Sequence, residues 1–149
     1  MNSLNKDRLS RLEEFLKPPW IGVMATIGQG GVPHLTPIWY NYSDGWITIS
    51  SRKASVKSKN LVRDNRLALT ICSEPQAVDY VTIWGEAEIQ DDDSIWGPTQ
   101  AIMERYLQSD KVGPFMASIK EAGDRSIISF KPKRIRFRTE FSKNLGITD

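Results

Sequence analysis

Apolar and polar positions alternate along much of this chain with a period of two, and a helical period replaces it in only a few places. Residues 4–16 set Leu9, Leu12, Phe15 and Leu16 at helical spacing among charges, so an amphipathic helix packs one stripe on the body and stops at Pro18-Pro19. It is a lid or a brace. The segment W-I-G-V-M-A-T-I then alternates, with Ile21, Val23, Ala25 and Ile27 on one face, and Gly28, Gly30 and Gly31 turn the chain into a hairpin. The second strand, V-P-H-L-T-P-I-W-Y-N-Y, carries Pro33 and Pro37, which cannot donate to a ladder, so part of it lies at an edge or a bulge. Through Ser43-Asp44-Gly45 the chain enters a third strand, Trp46–Ser51, which completes an antiparallel meander.

A turn rich in hydroxyls and cations follows, with Ser50, Ser51, Arg52, Lys53, Ser55 and Lys57, and leads into a short helix ending near Asp64. Residues 67–72 form a continuous β-compatible run. Residues 78–89 read as one long strand in which Gly85 suits a bulge or the close approach of another backbone. The acids Asp91, Asp92 and Asp93 cap a moderately patterned helix over 94–107. Residues 108–124 are weakly patterned, and the breakers Gly113-Pro114 and Gly123 predict a short helix between loops. The segment R-S-I-I-S-F-K-P-K-R-I-R-F-R gives two β runs interrupted at Pro132, with Arg134, Arg136 and Arg138 on one face of the second. Six or seven mostly antiparallel strands with a few helices predict a mainly β, α+β fold, and closure into a small barrel removes exposed edges. One domain over residues 1–149 is expected, with no repeat and no linker.

Composition refines this picture little. The 149 residues, 40% hydrophobic and 26% charged, are ordinary for a globular domain, and a net charge of +2 is too small to argue for nucleic acid. No apolar run reaches membrane-spanning length and the first residues lack a secretory apolar segment, so a cytoplasmic protein without a membrane partner is expected. Cys72 is the only cysteine, which excludes an internal disulfide and predicts a small buried core residue. His34 is the only histidine, and no hydrolytic triad, zinc motif or phosphate-binding glycine loop is present. His34 itself suits a structural or solvent-facing position better than the lining of a ligand site, the other reading of it.

The chemistry that remains is the strand, turn and helix over residues 46–66. Free N–H groups and the positive end of a helix dipole converge there, where serine hydroxyls and lysines also reach. An anion site and a solvated polar turn, with Ser55 as an ordinary N-cap and Ser58 behind it, both fit these residues. Trp39, Tyr40, Tyr42 and Trp46 lie nearby in sequence, and core packing accounts for such rings better than a ligand does.

The fragments G-V-M-A-T-I, G-G-V-P-H-L-T-P-I-W-Y, D-G-W-I-T-I-S-S, S-V-K-S-K-N-L-V-R-D-N-R and Y-V-T-I-W-G-E-A-E-I occur in that order. Together they resemble the pyridoxamine 5′-phosphate oxidase-like, flavin-binding split-barrel superfamily, and within it the small deazaflavin (coenzyme F420)-dependent oxidoreductases. The resemblance covers residues 15 to 90 well and the C-terminal strands loosely. It implies a homodimeric split β-barrel with two cofactor sites at the interface, an oxidoreductase activity on a small conjugated substrate, and no nucleic-acid partner. Carried over by position, Pro37, Ile38 and Trp39 run along an isoalloxazine-type ring. Ser50, Ser51, Ser55, Val56 and Lys57 hold the phosphate-bearing tail, and Asn60 supports the turn. The implied cofactor is F420 in preference to FMN, because Arg134, Arg136 and Arg138 with Lys53 and Lys59 suit a polyanionic glutamyl tail; a solvated edge is the other reading of those arginines. The chain departs from the family at Asn65, where a proline is frequent, and lacks recognisable contacts for a pyridoxamine phosphate substrate. The same barrel also serves as a non-catalytic flavin, haem or tetrapyrrole carrier.

Overall fold

The computed structural model describes residues 4–74 and 79–139. Nine strands and four α-helices occur among them, and the strands form two antiparallel sheets. The five-stranded sheet has the order β2 (Pro33–Ile38), β1 (Gly22–Ile27), β5 (Arg66–Cys72), β6 (Tyr80–Glu86), β9 (Arg134–Arg138). The other has the order β3 (Asn41–Ser43), β4 (Trp46–Ser51), β8 (Ser126–Phe130), β7 (Glu88–Gln90).

Two of the expected strands are therefore each two. The chain leaves β2 after Ile38 and joins the second sheet as β3, with Trp39-Tyr40 as the crossing. Likewise β6 gives way to β7, which pairs in the other sheet, and Val78, the expected start of that strand, lies outside the described residues. Passing strands from sheet to sheet lets both wrap one core, and it raises the number of strands above the expected six or seven. The inward residues Met24, Leu69, Ile83 and Ile135 of one sheet meet Ile47, Ile49, Ile128 and Phe130 of the other, all 5% exposed or less. Helix α1 (Lys6–Phe15) closes one end of this core with Leu12 and, just past the helix, Leu16, acting as a brace.

Ile21, Val23, Ala25 and Ile27 do share one face, and on the first strand it is the outward one. Gly22, Met24 and Thr26 point inward, while Ile21 and Val23 are 38% and 41% exposed. Its smaller residues fit the crowded interior: a Cβ on Gly22 would come within 2.8 Å of Leu69. Cys72 is likewise on the outward side, half-exposed, because Leu67, Leu69 and Ile71 take the inward positions of β5. The outer face of this sheet consequently grades from apolar to cationic. Across the strands Pro37 pairs with Val23, Val23 with Thr70, Thr70 with Thr82, and Thr82 with Arg136. Pro33 and Pro37 do lie on an edge strand, and the far edge is capped where Arg8 donates to the Ile135 carbonyl at 2.8 Å.

Helix α2 (Val56–Arg63) follows β4, and α3 (Trp96–Tyr106) and α4 (Ser109–Ala122) follow β7. Asp92 caps the 3-10 turn that precedes α3, accepting from the Ser94 N–H at 2.8 Å. Residues 109–122 form one continuous helix in place of the expected short one, with Gly113-Pro114 inside it. Pro114 removes one helical hydrogen bond, yet Val112, Met116 and Ile119 bury against Ile102 and Met103 of α3, and that burial outweighs the local loss. This helical cluster reaches the barrel through Ile127, so β8 is buried on both faces. No helix among the described residues is long and apolar enough to cross a membrane.

The family departure at Asn65 has a visible use. Its carbonyl accepts from the Ala87 N–H at 2.7 Å and its side-chain amide donates back to the Ala87 carbonyl at 3.4 Å, which a proline side chain could not do. On either side, the Arg66 guanidinium grips Asp64 at 2.7 Å and holds its carboxyl down to about 2. Gly85 meets the expectation of close approach: an added Cβ would lie 2.5 Å from Phe130 Cδ2 and 2.9 Å from the Lys131 carbonyl. The ring is buried and the carbonyl is backbone, so neither yields easily. Gly85→Ala is expected to cost about 1–3 kcal/mol by overpacking, measured by chemical denaturation; a loss below about 0.5 kcal/mol would mean that the β6–β8 approach is soft.

Candidate active site

Where β2 crosses between the sheets, the barrel and the helical cluster do not meet fully. A cavity of about 410 Å³ lies in that seam. Five of the residues expected at a site line it: Pro37, Ile38 and Trp39 at the crossing, Ser50 at the end of β4, and Lys57 in the first turn of α2. Residues separated by up to 20 positions thus converge because the crossing brings the end of β2 beside β4. The Trp39 ring is fixed by stacking on Tyr106 of α3, centroids 5.2 Å apart and planes 3° from parallel. Ser50 Oγ lies 3.2 Å from Thr99 Oγ1, a fully buried hydroxyl of α3.

The other four expected residues do not line the cavity. Ser51 and Ser55 form a hydroxyl network with Ser58: Ser51 Oγ to Ser55 Oγ is 3.0 Å, and Ser58 Oγ lies 3.1 Å from Ser51 Oγ and donates to the Arg52 carbonyl at 2.9 Å. Ser55 also caps α2, accepting from the Ser58 N–H. These serines therefore shape the turn from which Lys57 projects. Val56 is 54% exposed. Asn60, buried, donates to Thr26 Oγ1 at 3.0 Å and accepts from Arg63, tying α2 to β1 rather than supporting the turn.

Five further lining residues were absent from the expected set: Ile21, just before β1, and four that divide by chemistry. Ile102, Met103 and Phe115 come from α3 and α4 and give an apolar wall facing Pro37–Trp39. Arg125, between α4 and β8, joins Ser50 and Lys57 at the polar end. Only three-dimensional packing carries residues from beyond position 100 to this seam, and the weak patterning of 108–124 gave no local signal. Lys57 is half-buried, and burial, then the Arg125 charge, lowers its pKa below that of an ordinary lysine. Burial and the charge of Arg52 do the same to Arg125. Among the described residues neither cation makes an ion pair, and Arg125 Nε is buried without a hydrogen-bond partner.

Other candidates fall elsewhere. His34 is half-buried on β2 opposite Thr26, outside the cavity lining. Arg134, Arg136 and Arg138 do share one exposed face, but on the far edge of the five-stranded sheet. Four strand spacings, about 19 Å, separate that edge from β2 in the same chain. Lys53 is drawn to Asp91 at 3.7 Å, and Lys59 is exposed.

Residues 10–139 match the family described as pyridoxamine 5′-phosphate oxidase. The chain belongs to that family. Its two antiparallel sheets with their flanking helices are the split barrel of pyridoxamine 5′-phosphate oxidase-like proteins. A 5a,11a-dehydrotetracycline/5a,11a-dehydrooxytetracycline reductase of Streptomyces rimosus is 30% identical over 82 residues, covering 50% of this chain and 58% of the relative. The chain thus matches little more than half of that enzyme's length. Among solved structures, protein Rv2991 of Mycobacterium tuberculosis superposes with a TM-score of 0.77 at 25% identity, covering 99% of this chain and 92% of the other. An F420 reductase superposes with a TM-score of 0.67 at 21% identity, covering 83% and 94%.

The two cations make the unliganded site a source of instability. A lysine whose pKa is lower folded than unfolded is disfavoured while charged, and that cost is relieved only as pH rises through its folded pKa. While charged, Lys57 is therefore held against the fold. Lys57→Met, which keeps the stem and removes the charge, is expected to stabilise the free protein by up to about 1 kcal/mol given its half-open position, read as a higher melting temperature. A lower melting temperature would show that the ammonium is compensated.

Proposed function

We propose that this chain is an oxidoreductase in which a flavin-type cofactor, F420 in preference to FMN, exchanges a hydride with a small conjugated organic substrate. The observation that carries this reading is the polarity of the cavity: Ser50 and Lys57 at one end, the Pro37–Trp39 segment facing Ile102, Met103 and Phe115 at the other. A phosphate-bearing tail and a flat tricyclic ring have that same division. Such a cofactor supplies the hydride chemistry, and the protein supplies binding, orientation and electrostatics. On this reading Ser50 Oγ and Lys57 Nζ hold the phosphate, with Ser51, Ser55 and Val56 shaping the turn around it and Asn60 anchoring α2. The backbone of Pro37, Ile38 and Trp39 orients the ring, and the apolar wall keeps water from it. The reductase relative supports the activity, and the F420 reductase of the same fold supports the order of cofactors.

The partner in this reading is a second copy of the chain. Val23, Leu35 and Pro37 form an exposed apolar surface on the outer face of the five-stranded sheet, with Leu35 66% exposed. Ile21 and Pro37 belong both to that surface and to the cavity lining, so a copy seated there closes the mouth of the site. The Arg134, Arg136 and Arg138 face lies on the same side and is available to a polyanionic tail across the pair.

Titration with F420 and with FMN, followed by absorbance and calorimetry, tests the cofactor. One of them is expected to bind, with Lys57→Ala weakening it by about 1.5–3 kcal/mol, the range for a lost charge-assisted contact. Absence of binding by either, or an unchanged affinity in the variant, would remove the assignment. For the partner, Val23→Asp combined with Leu35→Asp is expected to shift the protein to a monomer in light scattering without loss of fold. A wild-type monomer at micromolar concentration would contradict the shared site.

A further inference from the structure

The last turn of α3 reaches across to the chain between α1 and β1. Arg105 donates through both terminal nitrogens to three consecutive carbonyls, those of Leu16, Lys17 and Pro18, the last at 2.8 Å. Beside it the Tyr106 hydroxyl donates to the Trp20 carbonyl at 2.8 Å. Helix α1 has no basic residue in its own last turn, so a cation from another helix faces its negative end. The guanidinium also lies over the rings of Tyr40 and Tyr106, 5.1 and 5.7 Å from their centroids. From this clamp two short paths lead to the cavity. The held segment runs directly into Ile21, and the Tyr106 ring stacks on Trp39; Ile21 and Trp39 both line the cavity, while Arg105 and Tyr106 do not.

The geometry points to Arg105 and Tyr106 as positioning residues: they bind the end of α1 and residues 16–20 into one unit with Trp39, and that unit keeps the apolar end of the cavity open to a flat ring. This deepens the reading above, in which the Pro37–Trp39 end takes the cofactor ring, and it rests on that reading. Residues 17–21 belong to no helix or strand, and Pro18 and Pro19 have no N–H, so the segment has little backbone bonding of its own. Its place is set from α3. Trp39 needs the same support, because it stands at the crossing between the sheets, after β2 ends and before β3 begins. Without the Tyr106 ring behind it, the indole is free to turn into the space it now borders. Coupling of this kind works in both directions: a ring that binds better when the unit is fastened must itself fasten the unit. Ligand binding at the seam is therefore felt at the C-terminal end of α1.

Two pairs of probes separate ring from tail: riboflavin with FMN, and the dephosphorylated deazaflavin core with F420. Calorimetry gives the affinities. Hydrogen exchange reads the amides of Leu16, Lys17 and Trp20, which donate to the Leu12, Glu14 and Pro18 carbonyls. Wild type is expected to bind one pair, and exchange at those amides to slow when the phosphate-free member binds. Tyr106→Leu removes stack and hydroxyl together; it is expected to bind both members about three- to tenfold more weakly, with the ratio between them unchanged, and to lose the slowing. Tyr106→Phe restores the stack alone and is expected to return ring affinity to within about twofold of wild type. Arg105→Lys keeps the charge but not the fork that spans three carbonyls, and is expected to quicken exchange at the same amides in the free protein. Ile119→Val, in the buried cluster behind α3 and outside the lining, is the control for plain loss of stability and is expected to leave ring affinity and slowing intact. If Tyr106→Leu binds the ring as wild type does, or Ile119→Val loses as much affinity, the assignment falls and the cofactor reading stands. If wild type binds neither pair, both fall. Should Tyr106→Leu fail to fold, unchanged exchange in Arg105→Lys, with and without the ring probe, overturns the assignment.

Discussion

Strand Ser126–Phe130 is apolar toward the barrel through Ile128 and Phe130 and apolar toward the helices through Ile127, so it is stable only when covered on both faces. The barrel covers one. For the other the chain inserts two helices between β7 and β8, and these can cover β8 only by leaning across the end of β4. That requirement places Ile102, Met103 and Phe115 opposite the Pro37–Trp39 crossing. The seam between two separately packed clusters is where a cavity persists, because neither cluster can extend its close packing through the bend of the chain. The site is a by-product of how one strand is buried.

What fills the polar end of that seam runs against stability. Lys57 and Arg125 repel one another in a half-enclosed space, while the surrounding hydroxyls of Ser51, Ser55 and Ser58 satisfy each other and offer little relief. The fold holds this arrangement because its neighbours are over-determined: Ser55 caps a helix, Asp124 grips the turn, and Thr99 meets Ser50 from α3. Strain kept at one place by a rigid frame is a recurrent property of binding sites.

Much of this was readable from residue order. Period-two alternation located the strands, Pro18-Pro19 ended the first helix, and Ser55 announced the cap of the second. The residue types at 50 and 57 were enough to suggest an anion end, while 37–39 entered only through the family resemblance. Three things were hidden for physical reasons. Alternation defines two faces but not which is inside, and in β1 the interior took Gly22 and Thr26 because the space there is too tight for larger side chains. A strand that changes sheets keeps its alternation across the change, so 32–42 looked continuous. Residues 109–122 owe their helix to tertiary burial on α3 rather than to local propensity, and with them Phe115 and Arg125 stayed out of view.

The lateral edges of the five-stranded sheet bear on how copies of this protein can meet. On β2, Pro33 and Pro37 stand at alternate positions, which in a strand turn to the same side, and neither has an N–H. On β9, Arg8 occupies the Ile135 carbonyl, and three arginines crowd the approach. Neither edge offers the unbroken row of donors and acceptors from which one sheet grows onto the next. Growth along an edge is open-ended and leads to filaments, whereas contact through a face about a two-fold axis ends after one partner. With both edges blunted, this sheet is guarded against open-ended growth.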